Sequence, residues 1–415
     1  VEVGQAHDKE AISRSIERFS QQSYPAEVAF FGSEWYPGVD HDPRLHILHA
    51  MGVGSGVAGY YSSADEYSRL ANPYSNEKEM FYINLRWLNN AADYNYYETV
   101  LAHEFQHMIH WANDRNEQTW LNEGLSEYAQ EVAGYGSDTI FANSFINLPD
   151  TQLTTWKVDS ASNAEHYGSA YLFINYLTQQ FGADTTKALV AQPANGGQGV
   201  TAALAAQGHP QDFNDVFGDW VVANYLDDPA ALAGKGRFGY QNLDLPTPPV
   251  AYTFAADTTE SHQATVNNYA TDYLRVEGTG DVTLHFQGQN STRLANLQPY
   301  SGRRSWWSNR SDDSNSRLTR RFDLSRIAPG TPVVMDVAMW WNIEADYDFG
   351  YVVVSRDERK WQILEGQYTS AENPTGNSFG AAYSGSSATV RDQNQGWVTE
   401  HFDLSAYAGE QIWVR

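Results

Sequence analysis

Ala102-His103-Glu104-Phe105-Gln106-His107-Met108-Ile109-His110, followed by Trp120-Leu121-Asn122-Glu123-Gly124-Leu125-Ser126-Glu127, is the stretch from which the rest of the chain is read. Neither Gly nor Pro interrupts the run from Tyr97 to Trp111, so the first segment is expected to be one helix. On a helix, His103 and His107 leave the same face one turn apart. That spacing lets two imidazole nitrogens meet one Zn²⁺ at about 2.0–2.1 Å. Glu104 stands beside the metal, placed to take a proton from the attacking water and pass it to the leaving amine. A His-Glu-x-x-His string alone is a weak signal, because a helix can also carry such histidines facing solvent or packed neighbours.

Two histidines need a third protein ligand, and Glu123 is the best placed. The polar run Asn113 to Glu117 reads as a turn, after which a second helix begins, capped by Thr119 or Asn116. On that helix Glu127 lies one turn beyond Glu123 and faces the same site. There it is suited to accept the outer N–H of a ligand histidine and fix its tautomer. These independent residues make the metal reading specific. Asn122-Glu123-x-x-Ser126-Glu127 after His-Glu-x-x-His resembles the gluzincin metallopeptidases of the thermolysin and aminopeptidase N kind. The resemblance implies Glu123 as third ligand and Glu127 as support for a histidine, across an interval shorter than in either named family. A metzincin pattern is absent: it wants Gly three residues after His107 and His six after, where His110 and Asn113 stand. His110, a further turn along, is read as a buried, hydrogen-bonded histidine.

Peptide hydrolysis also needs a donor for the oxyanion. Glu165 to Phe173 opens an apolar-periodic helix (Ala170, Leu172, Phe173, Tyr176, Leu177, Phe181) that Gly182 ends. Related gluzincins place a Tyr or His donor just before such a helix, which makes His166 and Tyr167 the candidates and Tyr171 the third. Simple packing of aromatics at the helix start competes with that role. Upstream, strands are expected over Leu45–Ala50, Gly56–Tyr61 and Glu79–Leu85. The second is read as an exposed edge to which an extended substrate can add, with Gly56, Gly59, Tyr60 and Tyr61 as cleft walls or as turn and core residues. Asp40, Asp42 and Asp65 are loop acids, solvated or in contact with calcium.

A chain of 415 residues exceeds one compact core and implies two or three domains. Cysteine is absent, which removes disulfides and thiol nucleophiles. With 26 basic against 51 acidic residues the formal charge is −25, which argues against nucleic acid and anionic membrane as partners. No apolar run reaches a membrane span, and no signal-peptide pattern stands at Val1. This composition suits a secreted, extracellular enzyme in its mature form, lacking a leader, although composition alone also admits a cytoplasmic one.

Three regions are expected: residues 1–135 and 136–245 as two catalytic subdomains, the second mostly helical, and 246–415 as a β-sandwich. Helices are expected over Ala202–Ala206 and Asp212–Tyr225, and Leu245-Pro246-Thr247-Pro248-Pro249 marks the boundary. Beyond it, strands are expected over Tyr273–Val276, Val282–Phe286, Val333–Trp340, Gly350–Val354 and Trp361–Leu364. Phe-Asp-Leu-Ser occurs at Phe322–Ser325 and again at Phe402–Ser405, read as similar turns within one sandwich.

About residues 300–415 resemble the β-sandwich that follows the catalytic domain in immune inhibitor A-type secreted peptidases. The likeness rests on Trp306-Trp307-Ser308 with Asp312-Asp313, on Arg321–Ser325, on Ile343–Ser355 and on Asp403–Gly409. It implies loop carboxylates around a structural Ca²⁺, for which Asp312, Asp313, Glu344, Asp346 and Asp348 offer oxygens; solvated turn acids are the competing reading. Glu410 to Arg415 ends inside an expected strand, and a sandwich cut there leaves an unpaired edge, so a longer native polypeptide is expected.

The expected fold is therefore an α+β zincin-like catalytic domain with a mostly helical second subdomain, followed by an all-β, jelly-roll-like sandwich. The expected function is a secreted Zn²⁺-dependent endopeptidase acting on polypeptide through zinc-activated water. An aminopeptidase lacks support, since no Gly-Ala-Met-Glu-Asn-type signature is present. The alternative is an adhesion module in which Trp306, Trp307, Trp340 and Trp341 bind glycan or protein beside an inactive peptidase-like domain. Retention of Glu104, which serves chemistry rather than folding, favours the enzyme.

Overall fold

Asp8 opens the first helix: its carboxylate accepts the Ala11 amide at 2.9 Å and caps α1 (Lys9–Arg18). A π-helical turn, Phe19–Ser23, leads into α2 (Tyr24–Phe31), which Gly32 ends at φ 106°. Three strands follow, β1 (His46–Ala50), β2 (Gly59–Tyr61) and β3 (Met80–Asn84), in the order β1-β3-β2. β1 runs parallel to β3, while β2 pairs antiparallel with it and forms the edge, with Tyr60 opposite Tyr82. The computed structural model describes residues 1–54, 56–90, 95–156, 163–230, 236–289, 297–309, 315–390 and 396–415.

Helices then dominate: α3 (Leu85–Asn90), α4 (Asn95–Asn113), α5 (Thr119–Val132), α6 (Thr139–Ile146), α7 (Ala164–Phe181), α8 (Ala183–Val190), α9 (Gly196–Ala206) and α10 (Phe213–Leu226). α5 follows Gln118, which makes no side-chain cap, so neither Thr119 nor Asn116 serves the capping role expected of it. Leu101, Phe105, Met108 and Ile109 of α4 pack with Trp120, Leu121 and Leu125 of α5 and with Tyr171, Leu172 and Phe173 of α7 in one core. Two glycines set how closely these helices approach. A Cβ on Gly124 would meet the Ala170 carbonyl oxygen at 2.8 Å, and one on Gly168 would meet that of Phe141 at 1.9 Å.

The helices are followed by two parallel strands, β4 (Val250–Ala255) and β5 (Tyr273–Glu277). They lie beyond the Pro-rich stretch yet bond to the helical region: Leu153 N–H donates to the Tyr269 carbonyl at 3.0 Å, and the Tyr273 hydroxyl to that of Val221 at 2.7 Å. The first compact unit accordingly runs from Val1 to Thr283 and the second from Leu284 to Arg415.

The second unit is β-rich and its strand pairs are antiparallel. β6 (Arg320–Asp323), β7 (Val334–Met339), β8 (Val353–Ser355), β9 (Gln362–Ile363), a short helix α11 (Ser387–Val390), β10 (Val398–Asp403) and β11 (Gln411–Val414) form one sheet in the order β6-β11-β8-β9 and one pair, β10-β7. Val354, Phe402, Leu404, Ile412 and Val414 share a core with Trp341 and Tyr383. The two Phe-Asp-Leu-Ser copies end β6 and β10 in the same turn, with Asp323 accepting the Ser325 amide at 3.0 Å and Asp403 that of Ser405 at 2.8 Å. Two expectations fail here. Val282–Phe286 forms no strand, and its Val282, Leu284 and Phe286 are exposed. β11 is no edge: it lies between β6 and β8, so the argument from an unpaired last strand does not hold.

No helix among the described residues is long and apolar enough to cross a membrane.

Candidate metal centre

α4 and α5 pack against one another and bring their histidines and carboxylates to one point. His103 Nε2 lies 3.0 Å from His107 Nε2, and Glu123 Oε2 lies 3.3 Å from the first and 3.6 Å from the second. Three ligands of a tetrahedral ion at about 2.0–2.1 Å are separated by roughly 3.3–3.4 Å, so this triangle has the right size for Zn²⁺. Glu123 Oε2 is buried, and its contacts to the two rings lack hydrogen-bond geometry. The donor set fits a cation.

The outer nitrogens decide where the ring protons reside. His103 Nδ1 faces Glu127 Oε1 at 3.1 Å, and Gln130 Nε2 donates to the other Glu127 oxygen at 2.8 Å. Ser126 Oγ donates to Gln106 Oε1 at 2.6 Å and therefore accepts from His107 Nδ1 at 3.0 Å. Both Nδ1 atoms are thus protonated in the neutral rings, and both Nε2 lone pairs point at the gap. Ser126 had no role in the sequence reading. Its place in Asn-Glu-x-x-Ser-Glu, beside Glu127, was the available signal.

Burial disfavours charge on His103, but the carboxylates of Glu123 and Glu127 outweigh it and hold its pKa well above the ordinary value. Burial likewise lowers His107 to about 4. Glu123 is desolvated, yet His107 and His103 bring its pKa below the ordinary value; burial raises that of Glu127.

Glu104 projects beside the triangle and is buried. Its Oε2 accepts the Tyr61 amide from edge strand β2 at 2.8 Å. Burial raises its pKa to about 7, partly offset by His103. A group poised there exchanges protons at neutral pH.

The other sequence candidates separate. The Tyr167 ring lies 6.3 Å from that of His103, stacked on Phe141 at 5.0 Å. Burial, then Glu123, Glu127 and Glu104, raise its hydroxyl pKa, so it stays a donor. His166 is buried with its ring 5.8 Å from that of Trp156. The Tyr171 hydroxyl is taken by Glu131 at 2.9 Å. Gly59 is a close-packing position, since a Cβ there would meet Val100 and the Tyr82 carbonyl; Gly56 has open space around it. Tyr60 stacks on Tyr82 with centroids 4.4 Å apart, and the Tyr61 hydroxyl donates to Glu66 at 2.6 Å. His110 is fully buried, with Nδ1 3.0 Å from the Asn122 amide.

The loop acids have protein partners. Asp40 pairs with Lys78, Asp42 with Arg44, and Asp65 accepts the Asn76 amide at 2.7 Å. Glu344, Asp346 and Asp348 are exposed, in a turn tied by the Asp348 amide to the Glu344 carbonyl at 3.0 Å. They gather into no three-ligand group among the described residues, outside which Asp312 and Asp313 lie. Trp341 belongs to the second unit's core, Trp340 is half-buried, and Trp306 and Trp307 are exposed.

Comparison with known proteins adds two likenesses. Residues 262–415 match the immune inhibitor A-like MAM domain family. A 120-residue stretch is 31% identical to the pre-pro-metalloprotease PrtV of Vibrio cholerae serotype O1, in strain M66-2 and in strain ATCC 39315 / El Tor Inaba N16961. The similarity is to a metalloprotease. It spans 29% of this chain and 11% of the relative's length. The first likeness is to the domain over residues 262–415, the second to one stretch of a metalloprotease, and the gluzincin likeness rests on His103 to Glu127 alone.

Proposed function

We propose that the chain is a secreted zinc-dependent endopeptidase of gluzincin-like site architecture, acting on extended or unfolded polypeptide. The observation that carries this reading is the convergence of His103 Nε2, His107 Nε2 and Glu123 Oε2 within 3.0–3.6 Å, with Glu104 beside them. Zn²⁺ bound there would supply Lewis acidity toward water and the scissile carbonyl. His103, His107 and Glu123 would hold it; Glu127 and Ser126 keep the imidazoles in the required tautomer and orientation. Glu104 takes the proton from the attacking water and delivers it to the amine as the peptide bond breaks. Tyr167, kept protonated by burial, is the better-placed donor to the oxyanion, while His166 lies against Trp156. The open edge of β2 offers main-chain groups to an extended substrate, and the Tyr61 amide ties that edge to the base. Residues 1–135 and 136–245 then form the two parts of the catalytic region. The exposed Trp306 and Trp307 favour an accessory binding role for the second unit.

The test is hydrolysis of a denatured, fluorescently quenched protein by the parent and by Glu104→Gln, with zinc content recorded for both. Retained zinc with turnover reduced about 10²–10⁴-fold is expected. Zinc in both and cleavage by neither would sink the peptidase reading.

A further inference from the structure

We infer that the chain carries a second divalent-cation site, formed by His110, Asp114 and Glu117 where α4 gives way to α5. His110 and Asp114 are one helical turn apart, and the Asp114 amide donates to the His110 carbonyl at 2.7 Å, so both side chains leave the same face. Glu117 reaches them from the turn. A ligand atom from each of the three lies within 4.8 Å of the other two. His110 is 0% exposed, Asp114 9%, and His110 Nε2, Asp114 Oδ2 and Glu117 Oε2 are all buried without a hydrogen-bond partner. Native interiors leave few such atoms, and three in one cluster call for a common partner.

The remaining atom of each side chain is already held. The Asn122 amide meets His110 Nδ1 at 3.0 Å, and the Asn116 amide donates to Asp114 Oδ1 at 3.4 Å. Glu117 Oε1 accepts the amides of Gln118 at 2.5 Å and Gly196 at 2.7 Å. An amide's O and N exchange by a flip, and with the Asn122 oxygen accepting Nδ1–H, His110 Nε2 presents a lone pair. The three unpartnered atoms are then all acceptors. A trapped water donates two hydrogens and leaves one acceptor unmet, whereas a cation satisfies all three. One ring nitrogen with two carboxylates suits Zn²⁺; Ca²⁺ takes six to eight oxygens. Two carboxylates also neutralise a dication. From separations of up to 4.8 Å, a contraction of at most about 1.4 Å reaches the spacing of a tetrahedral ion. Such an ion pins the turn between α4 and α5, along with the first residue of α9, and so holds the spacing between the two His-bearing turns and Glu123.

The full chain, stripped with chelator and dialysed against Zn²⁺, should hold two equivalents by mass spectrometry. The paired change His103→Ala/His107→Ala should remove one and keep the other. Asp114→Asn/Glu117→Gln should do the converse. Because that second pair can perturb folding, Zn²⁺ is also titrated into the His103→Ala/His107→Ala chain. Its thermal midpoint should rise by about 5 °C at a hundredfold excess over Kd, and Ca²⁺ should leave it unmoved. A single equivalent in the parent that survives loss of His103 and His107 supports this site while removing the first. A single equivalent lost with those histidines, or a midpoint unmoved by Zn²⁺ in that variant, overturns the proposal and leaves a trapped water in the cluster.

Discussion

Two kinds of buried carboxylate, one from each unit, stand in contrast. In the second unit Glu400 is fully buried and saturated with donors: the amides of Gln367 at 2.8 Å and Tyr368 at 2.9 Å, and the Tyr383 hydroxyl at 3.0 Å. In the first unit Glu123, Asp114 and Glu117 each keep one buried oxygen without a hydrogen bond, and each has a carboxylate oxygen within 4.8 Å of a histidine nitrogen. A saturated buried carboxylate organises the chain around itself, whereas an unsaturated one raises the energy of the chain until something positive arrives. Under the two proposals above, Glu400 is structure and the α4–α5 acids are ligands.

The largest effect expected from this contrast is on stability. Glu400→Ala strands three donors and should cost about 3–5 kcal/mol, read as a lower urea midpoint and faster amide exchange within residues 284–415. Glu123→Gln in chelated protein should cost less than that, since the carboxylate oxygen facing the rings accepts no hydrogen bond and only its attraction to His103 is lost. Equal losses from the two changes would erase the distinction.

A smaller effect separates ligands from their supports. Glu127→Gln leaves the three metal-facing atoms in place but weakens the acceptor behind His103, so Zn²⁺ affinity should fall about 10–100-fold. Competition with a chromophoric chelator measures it, with Glu400→Gln as the control that should not move. An unchanged affinity would mean that Glu127 orients nothing.

Much of this site was legible in the sequence because its geometry is local. Spacings of four residues on a helix place His103 over His107 and Glu123 over Glu127 without knowledge of the rest of the chain. What sequence left open is set by non-local contacts. The choice between His166 and Tyr167 depends on how α7 is rotated, and that follows from Gly168 against the Phe141 carbonyl. Ser126 acquires its role only when α5 lies against α4 and Gln106 accepts its hydroxyl hydrogen bond. The strands after the prolines join the first unit through bonds to Leu153 and Val221, which no composition shift announces. Alternation suggested a strand at Val282–Phe286, but alternation does not supply a partner strand.

Glu27 is the place where the contrast can break. It lies on α2, 0% exposed, with neither carboxylate oxygen hydrogen-bonded, yet it joins no three-ligand group among the described residues. Burial, only partly offset by His103, holds its pKa well above the ordinary 4.5. The sign follows from linkage. A carboxyl whose folded pKa is raised keeps its proton in the native state after the unfolded chain has released its own, so its stability contribution is full below about 4.5 and drains as pH rises toward the folded pKa. Glu27→Leu removes that drain. The difference in urea-unfolding free energy between variant and parent, both chelated, should widen in the variant's favour from pH 5 to pH 7.5. The slope should reach at most about 1.4 kcal/mol per pH unit. A constant difference would mean that Glu27 ionises in the folded chain with a partner of its own, and an unsaturated carboxyl in this unit would then no longer mark a ligand.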